Sequence, residues 1–111
     1  MTQLTWHLAV AAKDVPAAGK CHSFSINGEK FFVVNHPSGF KVYRNYCPHL
    51  GVTLEWREHE FLDPSGTLIE CATHNALFKI EDGECVTGPC FGRSLVSVQC
   101  ETKDDGIYIA V

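Results

Sequence analysis

The chain has 111 residues, 45% of them hydrophobic and 20% charged. These are the proportions of one ordinary globular domain over residues 1–111, not of a disordered or fibrous chain. The formal net charge of −4 comes without any cluster of Lys and Arg, which argues against nucleic acid as a partner, because phosphate binding draws its affinity from grouped basic side chains. No apolar run of about eighteen residues is present, so no membrane span is expected. The opening residues, Met1-Thr2-Gln3-Leu4-Thr5-Trp6-His7, show no basic segment leading into an apolar one. No secretory signal is expected, and the cytoplasm is the expected location. Thiols stay reduced there, so Cys21, Cys47, Cys71, Cys85, Cys90 and Cys100 read as metal ligands or buried thiols rather than as a disulfide framework.

The elements are β throughout. Leu4, Trp6, Leu8 and Val10 alternate with Thr5, His7 and Ala9, the period-2 pattern of a half-buried strand. Residues 14–19 break it. Phe24 and Ile26 end a second strand, and Asn27-Gly28 is a strong hairpin signal. Residues 29–35 return as its partner, with Phe31-Phe32-Val33-Val34 at the centre. After the turn His36-Pro37-Ser38-Gly39, residues 40–46 form a further strand, so the first four strands read as a meander. Loop follows from 47 to 51. Shorter strands are predicted at 67–70, 76–80, 84–86, 94–100 and 107–111, with loops at 71–75 and 87–92. Many short strands at regular spacing predict an all-β sandwich or barrel.

Two short motifs carry the chemistry. Cys47-Pro48-His49 has the spacing C-x-H, and Cys71-Ala72-Thr73-His74 has the spacing C-x-x-H. Each places one thiolate and one imidazole on a tight loop after a strand. Two such loops side by side offer two sulfurs and two nitrogens. Tetrahedral zinc takes that set. So does a [2Fe–2S] cluster in which two His replace two Cys on one iron. Structural zinc sites usually group like ligands, whereas these come in mixed pairs.

The boxes Cys47-Pro48-His49-Leu50-Gly51 and Cys71-Ala72-Thr73-His74 resemble the two ligand boxes of the Rieske family, and Thr87-Gly88-Pro89 resembles the proline-containing loop that covers that family's cluster. The resemblance spans nearly the whole chain. It implies an antiparallel sandwich of three small sheets with a cluster-binding tip. It also implies one [2Fe–2S] cluster per chain, with Cys47 and Cys71 on the buried iron and His49 and His74 on the outer one. The interval between the boxes, residues 50–70, is longer than in the family's compact ferredoxins, with the extra length placed at residues 55–61.

Two ferric ions, two sulfides and two thiolates sum to zero charge, whereas a four-thiolate cluster is doubly negative. Reduction of the neutral cluster is easier, so mixed ligation raises the potential. Reduction also adds negative charge beside His49 and His74, which should then hold their outer protons more tightly. A potential that falls with rising pH is therefore expected. The respiratory members of the family carry an extra Cys in each box and a Ser after the second. Those positions here are Val52, Thr73 and Ala76. Fewer donors to sulfur predict the lower end of the range, about −150 mV rather than about +300 mV.

The implied function is that of a soluble one-electron carrier, similar to the ferredoxins that feed ring-hydroxylating oxygenases. Its implied partners are a flavin- or NAD(P)H-dependent reductase and an oxygenase or other acceptor, met transiently, with the chain monomeric. The alternatives are a small electron-transfer subunit of a larger redox enzyme such as a nitrite reductase, and a structural zinc domain. An oxygenase itself would need a mononuclear-iron domain, for which this length leaves no room. No catalytic residue is expected. Pro48, Leu50, Asn75, Pro89 and Phe91 are candidates for a small apolar docking ring. Residues 55–63 read as an acidic face that steers a basic partner or as an ordinary polar loop, anchored by Trp56 and Phe61. Cys21, Cys85, Cys90 and Cys100 read as buried thiols, Cys85 and Cys90 lying near the third loop. His7, His22, His36 and His59 read as surface or turn residues.

Overall fold

The computed structural model describes residues 4–46, 54, 59–71, 76–88 and 92–111. Among the described residues there are ten strands: β1 (Trp6–Ala11), β2 (Cys21–Ile26), β3 (Glu29–His36), β4 (Gly39–Arg44), β5 (Leu68–Glu70), β6 (Leu77–Lys79), β7 (Cys85–Thr87), β8 (Ser97–Val98), β9 (Cys100–Lys103) and β10 (Gly106–Ala110). They form three antiparallel sheets, ordered β1-β10-β9, β2-β3-β4-β8 and β5-β6-β7. The all-β expectation is borne out. No helix is long and apolar enough to cross a membrane among the described residues.

The four-residue run at the centre of β3 explains the layering. Phe31, Phe32, Val33 and Val34 are all buried, although successive side chains on a strand point to opposite faces. Both faces of the sheet must therefore be covered. Phe31 and Val33 join Val10, Val42, Ile107 and Ile109 in one core. Phe32 and Val34 join Tyr43, Leu54, Phe61, Ile69, Phe78 and others in a second core. The sheet β2-β3-β4-β8 is thus the middle layer, with β1-β10-β9 on one face and β5-β6-β7 on the other. The hairpin between β2 and β3 turns at Asn27 and Gly28, both at positive φ (53° and 83°), as a two-residue type I′ connection requires.

Three expectations need correction. The first strand does not enter the meander. β1 pairs with β10 from Trp6↔Ala110 to Ala11↔Gly106, and Thr5 and Val111 exchange backbone bonds of 3.0 and 3.1 Å. The connection to β2 is too long for a hairpin turn. It includes a 3-10 turn at Ala12–Asp14 and carries the chain from one layer to the next.

The alternation of β1 is real but its apolar row faces outward. Leu4, Trp6 and Leu8 are 59%, 44% and 47% exposed, while Val10 is 2% exposed. The register shifts between Leu8 and Val10, so that Leu8 opposes Tyr108 and Val10 opposes Ile107. Ala9 is the extra residue of a β-bulge, and a slip of one residue moves a side chain to the other face.

The third correction concerns residues 94–100, which do not form one strand. β8 pairs with β4 and β9 with β10. A single stretch of chain crosses from the middle layer to an outer one.

The bulge separates two residues that look equivalent in the sequence. Leu8→Ser should change stability by no more than about 1 kcal/mol, as at an exposed site. Val10→Ala should cost about 1–3 kcal/mol from lost burial and the cavity left behind. Urea unfolding midpoints of the two variants check this, and a larger loss at Leu8 would contradict the register.

Candidate metal centre

The second core gathers the anchors of three loops. Leu54, Cys71, Ala76 and Cys85 are all buried in it. The first loop leaves the end of β4. Asn45 is 3% exposed. Its backbone N–H donates to the Lys30 carbonyl at 2.9 Å, and its Oδ1 accepts the Leu54 N–H at 2.9 Å. Asn45 and Leu54, which flank residues 46–53 in the sequence, are thus joined at the core. The second loop joins β5 to β6. Cys71 N–H donates to the Ala76 carbonyl at 2.9 Å, and the β5–β6 ladder continues as Glu70↔Leu77.

The third loop follows β7. Gly88 has φ +103°, and a Cβ there would lie 2.8 Å from Ala76 Cα. The third loop rests directly on the base of the second, and only glycine allows that approach.

Cys71 is fully buried, as expected for a ligand on the inner side of the site. Cys47, His49 and His74 lie outside the described residues. So do Pro48, Leu50, Asn75, Pro89 and Phe91 of the candidate docking ring, along with Val52, Trp56, Thr73 and Cys90. Of the other described cysteines, Cys85 is buried in the same core as Cys71, and Cys21 packs against it. Cys85 Sγ donates to the Thr87 carbonyl at 3.2 Å. Burial pushes the Cys21 thiol up to about 12 and raises Cys100 as well, so both are poor thiolates at neutral pH.

The described histidines are held in turns and between strands. His59 has φ 68°, stacks on His22 with centroids 4.3 Å apart, and accepts the Ser23 N–H on Nδ1 at 2.9 Å. His36 Nε2 lies 3.3 Å from Glu81 Oε1. No group of three or more His, Cys, Asp or Glu among the described residues is placed to hold a metal ion, so His22, His59 and Cys21 do not form a second centre.

The interval between the boxes is partly built into the sheet. Phe61 is fully buried and stacks on Phe32 at 4.1 Å, the anchoring role expected of it. Leu62 bridges Ile69, and Glu70 N–H donates to the Phe61 carbonyl at 2.8 Å. Residues 61–63 therefore extend β5 on its free side. Asp63 turns its carboxylate inward to Ser65, Thr67 and Leu68, which favours the polar-loop reading of this acid over a steering one.

On the far side of the small sheet, Tyr43 Oη donates to the Ile80 carbonyl at 2.6 Å. Burial, aided by Asp82 and Glu81, pushes the phenol up to about 12, so it remains a donor at neutral pH. This bond ties the small sheet to the middle layer.

Sequence reasoning missed Asn45. The available signal was a polar residue directly after β4 and two positions ahead of a candidate ligand.

The arrangement suits a [2Fe–2S] cluster. Cys71 is sealed in the core, and the residues that flank the two Cys/His boxes, Asn45 with Leu54 and Cys71 with Ala76, are joined at that same core. Such a site supplies the dry surroundings that a thiolate-bound iron needs on its inner side. Gly88→Ala should push the third loop off Ala76. We expect a lower thermal midpoint and incomplete iron loading, checked by calorimetry and iron analysis. Wild-type values for both would contradict the contact.

Comparison with known proteins agrees with this geometry. The fold matches a chain in the complex of reduced oxygenase and oxidized ferredoxin in carbazole 1,9a-dioxygenase, with TM-score 0.73 and 24% identity over 95% of this chain and 92% of that one. It also matches the ferredoxin of carbazole 1,9a-dioxygenase from Nocardioides aromaticivorans IC177, with TM-score 0.72 and 17% identity over 97% of both chains. The terminal oxygenase of the carbazole enzyme from Novosphingobium sp. KA1 matches with TM-score 0.73 and 17% identity, over 94% of this chain and 29% of that one. No curated protein sequence matches significantly. Residues 5–101 match the family model of the Rieske [2Fe–2S] domain. The chain therefore belongs to the Rieske [2Fe–2S] domain family, whose cofactor is one [2Fe–2S] cluster per domain.

Proposed function

We propose that this chain is a one-electron carrier whose cluster is held by Cys47, His49, Cys71 and His74. The observation that carries the reading is the setting of Cys71. It is fully buried at the end of β5, inside a domain whose fold follows the carbazole dioxygenase ferredoxin along 97% of both chains. When bound, the cluster takes up and releases one electron. The protein's own part is to hold four ligands in place and keep water from the inner sulfurs.

The natural partners are a flavin- or NAD(P)H-dependent reductase and an oxygenase. The oxygenase–ferredoxin complex of the carbazole system supports the second. Such encounters are small and transient, which suits the apolar residues Pro48, Leu50, Pro89 and Phe91 beside the ligands in sequence. We further propose that residues 1–111 act as one domain, monomeric and cytoplasmic.

Ala76 supports a potential at the lower end of the family's range. It is fully buried beside the second ligand loop and offers no hydroxyl to a cluster sulfur. Fewer hydrogen bonds to sulfur favour the oxidised state, so we expect a midpoint near about −150 mV. Potentiometric titration of the loaded protein should show one electron per chain. Ala76→Ser should move the midpoint upward, and Cys71→Ser should abolish stable loading. An unchanged midpoint in the first variant, or full iron and sulfide in the second, would contradict the assignment.

A further inference from the structure

We infer that Asn45 is a positioning residue for the first pair of cluster ligands. The inference rests on the reading above, in which Cys47 and His49 are ligands. Three observations lead to it.

First, the asparagine side chain is buried, at 3% exposure. Burying an amide is unfavourable unless it is hydrogen-bonded, so its bond to Leu54 is not incidental. Second, that bond spans nine positions and joins the two ends of the loop that carries Cys47 and His49. Both ends are fixed elsewhere. The Asn45 N–H is held by Lys30 of β3, and Leu54 is fully buried in the second core.

Third, the two ligand loops are closed by different means. The second loop is closed by the main chain, Cys71 to Ala76, which any residue type can supply. The first is bridged by a side chain, Asn45 to Leu54. The reach of an asparagine therefore sets the separation of these two flanking residues. A shorter or apolar side chain would leave the Leu54 N–H buried and unsatisfied, a costly state. The loop would then open more often.

The consequence is specific. Asn45 acts on the cluster through the first loop, and its loss should be felt at the centre beyond any loss of general stability. The experiment compares cluster-loaded wild type, Asn45→Ala, Asn45→Asp and Val33→Ala. Val33 is fully buried in the other core, so its truncation lowers stability away from the site.

Cluster loss to an iron chelator is followed by visible absorbance. The g values of the reduced proteins are read by EPR, and unfolding midpoints are measured alongside. Asn45→Ala should lose its cluster about fivefold faster than Val33→Ala, the effect of one unsatisfied buried donor on loop opening, and its g values should shift. Asn45→Asp should restore slow loss, because a carboxylate oxygen accepts the same bond. If Asn45→Ala does not fold, Asn45→Ser carries the same comparison.

Equal rates with wild-type g values in the Asn45→Ala (or Ser) and Val33→Ala proteins would overturn the inference. So would an Asp variant as labile as the Ala one. A wild-type protein without two irons and two sulfides per chain would instead overturn the ligand assignment, which keeps the two failures apart.

Discussion

Burial of β3 on both faces is the constraint from which the rest of the structure follows. Four consecutive apolar residues, Phe31 to Val34, cannot be satisfied by one partner layer, because their side chains alternate between faces. The chain answers with two outer sheets and two cores. One core is closed by β1 and β10, the strands nearest the two ends of the chain. The other is closed by the small sheet β5-β6-β7 and by Phe61, which stacks on Phe32. The division of labour between the cores is chemical as well as geometric. The first is aliphatic and aromatic packing. The second also contains Cys71 and the buried residues Leu54, Ala76 and Cys85, which stand next to the candidate ligand loops.

A centre of the proposed kind needs its ligands held in place. The described residues that flank the candidate ligands are fixed at the core. Asn45 and Leu54 close one loop, Cys71 and Ala76 the next, and Gly88 brings the third against the second. Tyr43 then links the small sheet to the middle layer through the Ile80 carbonyl. Apart from the main-chain bond between Cys71 and Ala76, each of these ties is made by a residue whose bulk or hydrogen-bonding capacity is specific to the position. The apolar side chains between them supply the driving force but not the geometry.

Much of the fold was legible in the sequence because its signals are local. Asn27-Gly28 announced the β2–β3 hairpin, and the short strands around residues 68–70, 77–79 and 85–87 fell where alternation and turn residues placed them. The failures were non-local. Nothing in residues 4–10 tells which strand they pair with, and the bulge at Ala9 that turns Trp6 and Leu8 outward depends on the register against Ile107 and Tyr108. Gln99 divides one apparent strand into two because its ends belong to different layers. At the candidate centre, the spacing of the Cys and His residues pointed to the proposed ligands, because metal chemistry needs its ligands in close groups. The role of Asn45 was not, since a buried polar residue at the end of a strand acquires meaning only when Leu54 is brought opposite it.

The central claim is that a cluster with mixed cysteine and histidine ligation sits on these loops. It is tested most directly by the EPR spectrum of the dithionite-reduced protein, read beside its iron and acid-labile sulfide. The account predicts two irons and two sulfides per chain and a rhombic signal whose average g lies below that of an all-cysteine [2Fe–2S] centre. A silent spectrum with one zinc per chain would contradict it, and the electron-carrier reading would fall with it.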